Sequence, residues 1–107
     1  MPQEIRHDGP KFSASAKAWL YSGKAAWCFV SLPTELASLL AANFADQKHG
    51  WGSLPVTVTI GETTWKTSIF PDKKSATYLL PLKADIRKKE NIVPGDTISF
   101  SFQVLLG

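Results

Sequence analysis

Residues 54–70 read LPVTVTIGETTWKTSIF. Val56, Val58 and Ile60 alternate with Thr57 and Thr59, the period of two that lets a pleated strand bury one face. Gly61-Glu62 makes a two-residue loop with glycine first, which suits a primed turn. The chain then returns with Trp65 and Ile69 inward and Lys66 and Ser68 outward. A hairpin this regular points to an antiparallel β protein.

Working outward, the same alternation recurs. Pro71-Asp72 is expected to break the returning strand, and Ala76–Leu82 forms the next one. Lys83–Glu90 reads as a short helix, with Ile86 facing the core and Asp85 four residues before Lys89. Pro94-Gly95-Asp96 is a turn in which Asp96 can accept hydrogen bonds from turn N–H groups. In the last strand Ile98, Phe100, Phe102 and Val104 alternate with Thr97, Ser99, Ser101 and Gln103. Upstream, Phe12–Tyr21 places Phe12, Ala14, Ala16, Ala18 and Leu20 on one face. Trp19 and Tyr21 share the other face with Ser13, Ser15 and Lys17. Ser22-Gly23-Lys24 turns the chain into a second strand at Trp27–Leu32. Pro33 and Thr34 open a helix that Thr34 can cap, with Leu36, Leu39, Leu40 and Phe44 as its apolar stripe.

Six strands and two helices result, and one helix cannot cover six half-apolar strands. The sheet is therefore expected to curl on itself. The fold class is mainly β: a small six-stranded closed or nearly closed β-barrel capped by one α-helix, with a second short helix before the last strand. The capping helix should supply the bulk that the alanine face of the first strand lacks.

Composition agrees with one globular domain over residues 1–107, with residues 1–10 expected to be loosely ordered. The chain is 44% hydrophobic and 20% charged, and a chain of this length needs no metal or disulfide to fold. Cys28 is the only cysteine, which rules out an intramolecular disulfide and a multi-cysteine zinc site. The first residues carry both charge signs and no apolar run, unlike a signal peptide. Apolar runs of about four residues are far short of the roughly twenty that span a bilayer. A soluble cytoplasmic protein with no membrane partner is expected.

The net charge is +3 but uneven. Residues 66–89 hold seven basic side chains against Asp72 and Asp85. Such a gradient can orient an anionic partner, or Lys73 and Lys74 can flank an exposed turn while 87–89 form a solvated helix face.

Two stretches, PVTVTIGETTWKTSIFPDKK and YLLPLKADIRKKENIVPGDTISFSF, taken with the earlier GKAAWCFVSLP, resemble the bacterial family called domain of unknown function 1905. The order of motifs carries the likeness over about residues 11–105. It runs from Trp27-Cys28-Phe29-Val30 before the helix, through Ser68-Ile69-Phe70-Pro71 and Leu80-Pro81-Leu82-Lys83, to Gly95-Asp96 before the final strand. The resemblance implies a small bacterial β-barrel with no established activity. Some relatives add a segment linked by name to bacteriocin protection. The Gly95-Asp96 element is also locally similar to that of swapped-hairpin regulators and antitoxins.

Motifs of common chemistry are missing. There is no phosphate loop, dinucleotide fingerprint or nucleophile elbow. His7 and His49 are far apart and have no second ligand at a metal-like spacing. Cys28, between Trp27 and Phe29, reads as a packing cysteine. The reading leans away from an enzyme, with no catalytic residue, cofactor or metal assigned. Ligand-binding candidates are Trp19, Tyr21, Lys66, Ser68, Lys83 and Arg87. Trp19 and Tyr21 look solvent-directed and could stack on a sugar, a base or a partner, unless a bulge near Gly23, the helix or a second subunit covers them. Trp51 could clamp a ligand or anchor a loop, while Trp27 and Trp65 look like core. Arg87 can present a planar fork to a carboxylate or phosphate, or pair with Asp85, Glu90 or a backbone carbonyl. The leading expectation is a non-catalytic binding module for an anionic or aromatic small ligand or a partner protein. The alternative, not favoured, is a nucleic-acid-associated regulator acting as a dimer through the basic 66–89 region.

Overall fold

A computed structural model describes residues 8–21, 27–47 and 52–106 of the chain. His7, His49, Trp51 and the Ser22–Lys24 turn lie outside the described residues. Six strands form an antiparallel barrel: β1 (Asp8–Leu20), β2 (Cys28–Ser31), β3 (Leu54–Ile60), β4 (Thr63–Asp72), β5 (Thr77–Pro81) and β6 (Thr97–Leu105). Around the barrel the order is β1-β2-β5-β4-β3-β6, closed by the pairing of β1 with β6. Two helices, α1 (Thr34–Asn43) and α2 (Ala84–Glu90), lie in the β2–β3 and β5–β6 connections.

The alternation seen in the sequence sets the interior. Val56, Val58 and Ile60 face Ile98, Phe100, Phe102 and Val104 in one core, all of them buried. Phe12 lies 5.4 Å from Phe102 between ring centroids, and Phe100 stacks on Phe102 at 6.3 Å. The β3–β4 hairpin keeps strict register from Leu54↔Ile69 to Ile60↔Thr63. Gly61 has φ +57 and Glu62 does not have positive φ, the pattern of a type II′ turn. The hairpin tip is clamped by the end of α2, where Thr63 Oγ1 donates to Glu90 Oε2 at 2.5 Å.

Several expectations need correction. β1 starts at Asp8, ahead of the Phe12 at which alternation begins. Leu20, expected on the buried face, is exposed at the end of β1, although its partner Cys28 on the same rung is buried. β4 does not break at Pro71-Asp72; it runs on, with Pro71↔Tyr78 and Asp72↔Thr77. α1 follows Pro33 without a side-chain cap from Thr34. It buries Ala37 and Leu40 and leaves Leu39 exposed. At its end Phe44 meets Phe12 edge-on at 6.4 Å, so the helix reaches β1 beside the alanines, and Ala14 and Ala16 stay partly exposed. The turn before β6 behaves as read: Asp96 Oδ2 accepts the Val93 N–H at 3.0 Å, and Gly95 has φ +100.

Candidate functional site

The β4–β5 ladder runs from Asp72↔Thr77 to Phe70↔Leu79 and stops, although both strands continue. The reason is in the sequence. In a two-residue hairpin the flanking pair, Ile60 and Thr63, exchanges both backbone hydrogen bonds. Alternation then aims the backbone groups of Trp65, Thr67 and Ile69 at β3, and those of Lys66, Ser68 and Phe70 at β5. On β5 the residue next in line to meet Ser68 is Pro81, which has no N–H to give. The strands part, and α2 begins immediately beyond.

A groove of about 430 Å³ opens at this seam, within the size range of small-ligand sites. β4 contributes Thr67 and Phe70, β5 Pro81, its continuation Leu82 and Lys83, and α2 Ala84 and Arg87. Trp27 and Cys28 close the side nearest β2. The lining is mainly apolar, with two cations and no acidic side chain. Arg87 Nε donates to the Leu82 carbonyl at 3.1 Å, one of the partners foreseen for it. That bond fixes the guanidinium plane. Among the described residues its terminal nitrogens have no partner. Cys28 is buried, and desolvation raises its thiol pKa above the ordinary 9.0, with the nearby Arg87 charge pulling partly back. A neutral buried thiol packs rather than attacks.

The outer wall beside the groove is aromatic. Phe29 lies between Trp19 and Pro81 in one register row. Trp19 packs on it at 5.3 Å, Tyr21 meets it edge-on at 6.3 Å, and Trp27 stacks at 6.0 Å. Trp19 is partly covered and its indole N–H donates to Ser31 Oγ at 2.9 Å, which makes it an anchor of the β1–β2 wall. Tyr21 and Trp27 are each 55% exposed. Trp27 therefore is not core; it joins the aromatic wall to the groove. Trp65 does pack against the core, and its indole N–H is buried without a partner among the described residues.

Of the six sequence candidates, Lys83 and Arg87 line the groove, and Trp19 and Tyr21 lie on the wall next to it. The side chains of Lys66 and Ser68 point to the outer β3–β4 surface, opposite Thr57 and Pro55, and do not line it. Trp27, Thr67, Phe70 and Pro81 were missed. Pro81 carried the usable signal, a proline inside a strand with no donor for one neighbour. A larger, open depression over Ser13, Ser15, Thr59, Ser99 and Ser101 is a solvated sheet face on which hydroxyls bond each other, as in Ser15–Ser99 at 3.0 Å. Among the described residues no group of three or more His, Cys, Asp or Glu side chains could hold a metal ion, and no helix is long and apolar enough to cross a membrane.

A search of the curated proteins gave no match. The family model described as Domain of unknown function (DUF1905) matches residues 15–102, from the middle of β1 to the middle of β6, so that β2 to β5, both α-helices and the groove fall within it. The chain belongs to that family.

Proposed function

We propose that the protein is a non-catalytic binding module whose groove takes a ligand with an anionic group beside a flat apolar body. One observation carries the reading: Arg87 is oriented by its Nε bond, and its terminal nitrogens border a mainly apolar groove free of carboxylates. A charge-assisted hydrogen bond there is worth about 1.5–3 kcal/mol. Lys83 adds a second cation, and Trp27 and Phe70 offer flat surfaces.

The test is a titration of the folded protein with benzoate, indole-3-acetate and phenyl phosphate, followed by amide chemical shifts. Shifts should concentrate at Thr67, Leu82 and Arg87, and Arg87→Ala should weaken binding about tenfold or more. Shifts spread evenly over the barrel would refute the reading. The distribution of basic residues favours it over a nucleic-acid regulator. Lys73 and Lys74 sit in the turn at one end of β5 and Lys83–Lys89 at the other, so they make no continuous stripe. A regulator would lose affinity steeply as salt rises, with a slope set by the number of phosphates contacted. A single carboxylate clamp should respond weakly.

A further inference from the structure

The chemistry of the seam narrows the choice of ligand, on the premise that the groove is a binding site as proposed above. We propose that its occupant is the free C-terminal end of an extended peptide, laid beside β4 as a short added strand with its carboxylate on Arg87.

The main chain supplies the first argument. Lys66 and Ser68 aim their backbone groups away from β3, toward the seam. Ser68 comes opposite Pro81, so its carbonyl receives no N–H from β5. Carried on past its last pair, the β4–β5 register would set Lys66 opposite Lys83, beyond the end of β5, and on that side its N–H and C=O have no backbone partner among the described residues. Unused strand groups of this kind are a template for an added strand.

The side chains supply the second. The same gap that leaves these groups unused forms an apolar recess between Phe70 and Pro81, of the kind that accepts one side chain of an extended segment. The third argument is charge. Arg87 and Lys83 stand in that recess without a facing acid. The planar fork of a guanidinium matches the two oxygens of a carboxylate. A small aromatic acid would satisfy Arg87 and the apolar surfaces but leave the β4 main chain unused. A peptide end would satisfy Arg87, the recess and the β4 main chain together.

The experiment screens acetylated pentapeptides with free carboxyl ends against the full chain, and compares the best binder with its amidated twin. Amidation and Arg87→Ala should each weaken binding about tenfold or more, and the Lys66 amide should exchange with solvent more slowly when the peptide is bound. Arg87→Lys keeps the charge and loses the fork; it should weaken binding severalfold and serves if Arg87→Ala does not fold. Equal binding of the amidated twin, or an unprotected Lys66 amide in the complex, overturns the proposal. Binding of benzoate or indole-3-acetate with no binding of any peptide overturns the peptide assignment and leaves the groove's binding role standing. If neither class perturbs the groove, both fall.

Discussion

Gly61 shows how tightly one residue can be constrained from two sides. Its φ of +57 is disfavoured for any residue with a Cβ, and a Cβ built there would run into the Glu90 carboxylate. Gly61→Ala should therefore lower the unfolding free energy by about 1–3 kcal/mol in urea denaturation. The double variant with Glu90→Ala should cost less than the sum of the two single changes, because the clash is removed. Cys28 gives a prediction in pH. Its thiol pKa is raised in the folded state, chiefly by burial, so the neutral form is favoured by folding. The contribution to stability is complete below the ordinary value of 9.0 and is lost as pH climbs through the higher folded value. Stability should thus fall on the alkaline side, and less steeply in Cys28→Ala, which urea titrations across that range would read. Single residues were also the hardest to foresee. Period two groups Leu20 with Ala18 and makes Trp27 look like core, but periodicity carries no information on where a ladder ends. Leu20 ends β1 and Trp27 immediately precedes β2, and both are exposed.

Elements were far more legible, because each is defined by many residues at once. β3 and β6 have the faces that alternation assigns, and β4 starts where it should but runs two residues past the expected break. α2 was readable from Ile86 and the charges around it, and it ends at Asn91 in the left-handed conformation that asparagine tolerates. Alternation also outlined β4 and β5 as strands, but the gap between them depends on which strand lies beside which, and spacing along the chain does not say. Pro81 links the two scales. Pro81→Ala would restore an N–H opposite the Ser68 carbonyl and let the β4–β5 ladder extend. The new hydrogen bond is worth about 0.5–1.5 kcal/mol and the lost prolyl rigidity about 0.4–1 kcal/mol, so stability should change little. The groove should narrow instead. Ligand affinity is expected to drop severalfold, with the new amide at position 81 protected from hydrogen exchange. Unchanged affinity together with a protected amide would separate groove width from binding.

For the molecule as a whole, the closed barrel followed from one surface argument: six one-faced strands need more cover than one helix provides. Its centre is Phe102, about 1% exposed and flanked by Phe12 and Phe100. Phe102→Ala should cost about 3–5 kcal/mol, a large share of the 5–15 kcal/mol typical of such domains. Circular dichroism melts should show either a strongly lowered midpoint or no transition. The strand order has a further outcome for how the chain is made. Of the six barrel strands β6 is synthesised last, yet it lies between β1 and β3 and joins Ser15 to Ser99 across 84 positions of sequence. While the ribosome is still adding residues, β1 and β3 each wait with one side unmatched. The ring can shut only once β6 has emerged, so pairing of that strand is a long-range step that comes late in folding and leaves two strand edges open until it is done.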